Sequence, residues 1–237
     1  MPTCYYKSTM NKLLNTLKTN PMTIIVATPL NSVEMARAAE ANGAHAIKTH
    51  INMTHRASQV TFGTLEEERP VLTEIIHSVN IPVGIVPGAS LDVGLEMIIE
   101  LAEMGFDFFD MFAHFMKPEL FQAPGISRMA AVDSSMDLET VGELSNLGVE
   151  MLEGAIISPE GYGAELSIVD LARYRILRKH VSIPLIIPSQ RTLKPENISS
   201  LYDLGVEGVL VGVLSTGKDA DQLARQVAAF REAAEKL

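Results

Sequence analysis

Four stretches of the chain repeat one pattern: a segment of helical period, a glycine, then an apolar run that reads as a strand. They are EMARAAEANGAHAIK, EMIIELAEMGFDFFD, TVGELSNLGVEMLE and NISSLYDLGVEGVL, with Gly43, Gly105, Gly148 and Gly205 at equivalent points. Glycine at such a point lets a helix end in the left-handed conformation and feed directly into a strand. Further apolar runs lie between these units, two of them entered by an Ile-Pro pair in IPVGIVPG and IPLIIPSQ. Alternation of this kind along a whole chain is the signature of βα units around a parallel sheet.

The strands read from the runs are Thr23–Thr28, Ala44–Thr49, Val83–Val86, Phe106–Phe112, Met129–Val132, Val149–Ile156, Leu185–Ile187 and Val206–Val211. Helix starts are marked by Asn31-Ser32, by capping boxes at Thr64/Glu67 and Ser167/Asp170, and by Pro195. Eight strands from a fourfold βαβ repeat predict an α/β chain closed as a (β/α)8 TIM barrel, one domain spanning residues 1–237. Met10 to Lys18 is expected to form an extra N-terminal helix across the barrel floor, and Asp219 to Leu237 the last helix.

The glycines also set the register. Counted five residues on from each of the four glycines, Lys48, Asp110, Glu153 and Leu210 fall on one interior layer of the even strands. Three ionisable side chains in one layer of an apolar core are costly unless paired, and active sites are where barrels tolerate that cost. The next layer towards the mouth holds His50, Phe112, Ala155 and Gly212, with His50 above Lys48. On the odd strands Thr28, Pro87, Asp133 and Ser189 fall at or just past the strand ends. Lys48, Asp110, Asp133 and Glu153 are therefore the catalytic candidates, with His50, Thr28 and Ser189 as substrate-binding candidates. Asp133 has a competing reading as a helix cap. Lys48 could serve as a base, as an electrophile towards an enolate, or as a Schiff-base amine.

Barrels often hold phosphate in the loops after strands seven and eight. Here those loops offer Arg191 for a bidentate grip, and Gly212, Ser215 and Thr216 ahead of the last helix. His55 and Arg56 lie in the long loop after strand two, where a lid is plausible, and His114 could reach the mouth. No metal is expected: His50, Asp110, Asp133 and Glu153 lack the close helical spacing of a zinc motif. No other cofactor is called for.

The quoted stretches AIKTH, AAVDSS, GAIISPEGYG, IIPSQRT.KP and GVEGVLVGVLST resemble the N-acetylmannosamine-6-phosphate 2-epimerases, a family of phosphosugar-binding barrels. The resemblance implies substrate contacts for Lys48 and Asp133 and a phosphate grip for Arg191 and the Gly212 loop. The family's catalytic lysine and glutamate would fall near Pro87 and Ser189, and neither residue can move a proton from carbon. The chemistry expected is therefore that of the interior ring acting on a small phosphorylated sugar or sugar-like metabolite, as an isomerase, epimerase or aldolase-type lyase. The alternative is a phosphosugar-binding barrel that has lost the epimerase residues.

Charge and composition narrow the partners. A net charge of −10 opposes a nucleic-acid surface, which needs clustered Lys and Arg. The apolar content is 47%, yet no run approaches the roughly 20 residues that span a bilayer. The start lacks a signal-peptide pattern and the chain has one cysteine, Cys4, so a cytoplasmic location is expected. The acidic exterior is compatible with a homo-oligomer.

Overall fold

The computed structural model describes residues 11–237; Cys4 and the first residue of the expected floor helix, Met10, lie outside them. Eight parallel strands close on themselves: β1 (Thr23–Ala27), β2 (Ala46–His50), β3 (Val83–Val86), β4 (Phe108–Phe112), β5 (Ser127–Val132), β6 (Met151–Gly154), β7 (Leu185–Pro188) and β8 (Gly208–Val211). Each pairs with its sequence neighbours, and β1 pairs with β8 to complete a (β/α)8 barrel. The helices are α1 (Lys12–Thr19), α2 (Val33–Ala41), α3 (Leu65–Ser78), α4 (Leu95–Met104), α5 (Leu138–Glu143), α6 (Ile168–His180), α7 (Ile198–Tyr202), α8 (Val213–Thr216) and α9 (Ala220–Ala234).

The repeat seen in sequence is a repeat in geometry. Gly43, Gly105, Gly148 and Gly205 all take positive φ, at 95°, 105°, 99° and 80°. The residue after each glycine donates its N–H back to the preceding helical turn: Ala44 to Ala39, Phe106 to Leu101, Val149 to Leu144 and Val206 to Leu201. That residue therefore belongs to the helix ending. The strands accordingly start two residues later than the apolar runs suggest, at Ala46, Phe108, Met151 and Gly208.

Side chains sort by strand parity into two cores. Ile24, Val26, Ile47, Ile85, Phe109, Leu152, Ile187 and Val209 pack outward into the helical mantle. Ile25, Ala46, Phe108, Met129, Met151, Ile186 and Leu210 fill the lower barrel, and α1 closes it from beneath with Leu13 and Leu17. Asp107 holds α1 there, accepting the N–H groups of Lys12 at 3.0 Å and Leu13 at 2.9 Å. Inside the barrel the Phe108 ring lies over Gly84, where an added Cβ would approach it to 2.1 Å. A side chain at position 84 and a phenyl ring at 108 thus compete for one space.

One element stands outside the repeat. After β2 the chain turns into a two-stranded hairpin, Met53–Thr54 against Thr61–Phe62, closed by Asn52 N–H to the Gly63 carbonyl and His55 N–H to that of Val60. Phe62 is buried and its ring centroid stands 5.0 Å from that of His50. Glu68 ties the hairpin's exit to the β1 loop, accepting from Gly63 N–H and from the Asn31 amide. No described helix is long and apolar enough to cross a membrane.

Candidate active site

A cavity of about 570 Å³ opens at the C-terminal ends of the strands, within the size range of small-molecule sites. At its floor the Lys48 ammonium donates to Asp110 Oδ2 and Glu153 Oε2, both at 2.6 Å. All three residues are buried. They come from β2, β4 and β6, the alternate strands that share a layer, so the column inferred from the glycines exists as a contact. Leu210 completes that layer, and His50, Phe112, Ala155 and Gly212 line the cavity above it.

The three charges are not equivalent. Burial alone would lower the Lys48 pKa, but Asp110 and Glu153 outweigh it and hold the ammonium above the ordinary lysine range. Burial and the neighbouring Glu153 raise Asp110 well above the usual aspartate range. Glu153 is also penalised by burial, yet Lys48 and a hydrogen bond from Asp110 bring it below the usual glutamate range. The environment thus favours the ammonium at Lys48 and the carboxylate at Glu153, and favours the protonated carboxyl at Asp110. Asp110 Oδ1 is buried with no hydrogen-bond partner among the described residues, so it is free to pair with a substrate hydroxyl.

His50 sits above this trio with its backbone clamped by Asn31, which donates to its carbonyl at 2.7 Å. Burial first, then His55 and Lys48, push its pKa well below the ordinary value, so the ring is neutral. Its Nδ1 has no partner among the described residues. His55, on the hairpin, faces it with ring centroids 4.9 Å apart and is itself lowered to about 4, chiefly by burial and then by Lys48. At the rim Asp133 accepts from Ser135 N–H and hydroxyl and meets His114 Nε2 at 3.2 Å. Ser189 lines the wall, its Oγ accepting the Gly212 N–H at 2.8 Å.

The other expected contacts lie elsewhere. Ala27, one residue before Thr28, is the β1 residue that lines the cavity; Thr28 is buried on the opposite parity. Arg191 is not in the lining. Its guanidinium makes a bidentate pair with Asp170, Nε to Oδ2 at 2.9 Å and Nη2 to Oδ1 at 3.1 Å, and Nη1 donates to the Gly161 carbonyl. Those bonds use three of the five guanidinium N–H groups and pin the β7 loop to the α6 capping box and to the β6 loop. Ser215 and Thr216 also lie outside the lining, Thr216 wholly buried, while Val213 and Leu214 reach it. Residues not singled out as site candidates from sequence include Gln190, bonded to Ala155, Ile157 and Tyr162, and Tyr162 itself. No group of three or more His, Cys, Asp or Glu among the described residues is arranged to hold a metal.

Fold and cavity together define a (β/α)8 barrel with its pocket at the C-terminal face. Solved structures give the same class. A thiamine phosphate pyrophosphorylase from Pyrococcus furiosus superposes with a TM-score of 0.65 at 18% identity, covering 92% of this chain and 97% of that one. A mutant tryptophan synthase alpha-subunit from the same organism gives 0.70 at 16%, covering 89% and 98%. Phosphoribosyl anthranilate isomerase from Thermus thermophilus gives 0.65 at 16%, covering 91% and 99%. At these identities the likeness is one of fold. No protein-family model and no curated protein sequence matches the chain.

Proposed function

We propose that this barrel is an enzyme that isomerises a small phosphorylated metabolite by moving a proton at a carbon next to a carbonyl. The observation that carries the reading is the Lys48 ammonium held at 2.6 Å from both Asp110 and Glu153 at the floor of the cavity. Two carboxyl groups whose environments drive them apart supply a base and an acid at one pH. Glu153, the carboxylate, takes the proton from carbon. Lys48 donates to the oxyanion that develops, and Asp110, still protonated, returns a proton.

The same electrostatics disfavour a lysine imine. A Schiff-base amine must be neutral to attack, and both carboxyl neighbours hold Lys48 as its ammonium. Proton transfer is accordingly preferred here to aldolase chemistry. The phosphorylated substrate is supported by two of the three similar barrels, whose names contain a phosphorylated compound, and by the resemblance to phosphosugar epimerases.

The test is turnover in a screen of phosphorylated ketoses, aldoses and their amino derivatives. Glu153→Gln and Lys48→Ala are each expected to lower kcat by roughly a hundredfold or more, the usual range for a positioned acid–base or oxyanion group. Full activity of Lys48→Ala on an identified substrate would remove the proposal. A second reading rests on Pro87 and Ser189 standing where the epimerases carry their catalytic pair: a barrel that binds a phosphosugar without converting it. It requires saturable binding with no product across the same screen.

A further inference from the structure

Arg191 is paired with Asp170 and stands outside the cavity lining. Lys48 and Arg56 are the lysine and arginine in the cavity lining. Lys48 divides its charge between two carboxyl groups, and Asp133 is met by His114 and Ser135. Arg56 is exposed, and among the described residues no carboxylate oxygen stands within ion-pair distance of it. Its guanidinium carbon lies 6.0 Å from the ring centroid of Tyr162, which stands on the β6 loop across the mouth. Glu160, on the same loop, is near enough to be held below the usual glutamate range, mainly by backbone and Ser158 hydrogen bonds and in part by Arg56.

We infer that Arg56 binds the phosphoryl group of the substrate, closing on it with the Tyr162 hydroxyl from the opposite rim. The floor ammonium of Lys48 is already shared by Asp110 and Glu153, whereas Arg56 at the mouth has no carboxylate within ion-pair distance among the described residues. A ligand with one anionic end would therefore enter floor-first with its uncharged, reacting end.

The residue is also held by a formed element. The hairpin is tied by its own ladder, by Thr54 Oγ1 to Thr61 Oγ1 at 2.9 Å, by His55 Nδ1 to Ser58, and by Phe62 against His50. A guanidinium on such a turn gives up less freedom on binding than one on a loose loop. The same hairpin carries His55 against His50, so a phosphoryl group at Arg56 would settle the hairpin over the reacting end.

The inference rests on the phosphorylated-substrate reading, and its test is independent of turnover. Inorganic phosphate is titrated calorimetrically into the purified full chain at low salt, and into Arg56→Ala, Arg56→Lys and Lys218→Ala, Lys218 being an exposed lysine between α8 and α9 outside the cavity lining. Saturable binding that weakens roughly tenfold or more in Arg56→Ala, partly recovers in Arg56→Lys and is unchanged in Lys218→Ala is expected. Equal binding by wild type and Arg56→Ala would overturn the assignment to Arg56 while leaving a phosphate site elsewhere in the barrel. No phosphate binding by the wild type would overturn both the assignment and the phosphorylated substrate, without bearing on the acid–base trio.

Discussion

Asp110 and Glu153 differ in what they contribute to stability, and the difference has a sign in pH. The folded chain keeps a proton on Asp110 that the unfolded chain, with an ordinary aspartate near pH 4 (about 3.9), has released. Stability therefore falls as pH rises from about 4 through the raised folded value. Glu153 acts the other way: its folded pKa lies below the ordinary value, so its stabilisation is present above that value and lost as pH falls through the folded one. Asp110→Asn should remove the first trend and leave the second. Urea midpoints measured from pH 4 to 8 are expected to rise more with pH in Asp110→Asn than in the wild type, because the variant lacks the one contribution that falls with pH. Parallel curves would show that Asp110 is ionised in the folded protein.

At the scale of elements, the Gly84–Phe108 contact is the tightest seam in the barrel. Gly84→Ala places a Cβ at 2.1 to 2.4 Å from ring atoms of Phe108, and overpacking of this kind typically costs about 1–3 kcal/mol. Phe108→Leu frees the space, so the double variant should recover part of that loss in denaturant melts; additive losses would mean that the two positions do not compete. The hairpin after β2 shows where reading elements from sequence stops. The glycine spacing placed Lys48, Asp110 and Glu153 because each joint repeats one geometry, and any shift would have moved all of them together. The hairpin strands have two residues each, too few for a period to appear. That Arg191 lies outside the cavity lining was hidden for a related reason. Its partner Asp170 is 21 positions away inside a capping box, and spacing does not tell which loop a fork will reach. Thr28 was one residue off the inward parity, the error to which strand ends are most prone.

Across the whole molecule, neutral histidines set the acid limit. His45 accepts the Ile24 N–H through Nδ1 at 2.9 Å and meets the Arg231 guanidinium through Nε2, joining β1 to α9. Burial first, then Arg231, lower it to about 4, and burial lowers His55 to about 4 as well. The unfolded chain protonates these rings near pH 6.5 (about the free value), so their contribution is complete above that pH and is lost progressively as pH falls towards 4. His45→Gln should flatten part of the loss between those limits, read as the thermal midpoint against pH; an unchanged slope would assign the loss to other groups.

The closed floor has a consequence for the atoms of the reaction. Leu13, Leu17 and Phe108 stop the barrel below the Lys48 layer, so water reaches Glu153 from the mouth alone, and a bound substrate with its phosphoryl end at Arg56 would stand in that path. A hydrogen lifted from carbon is then shut in with its acceptor. Because Glu153 lifts the hydrogen and Asp110 returns its own, substrate carrying deuterium at that carbon, turned over in ordinary water, should give product bearing hydrogen there; product that retains the label would mean that one group both lifts and returns the proton.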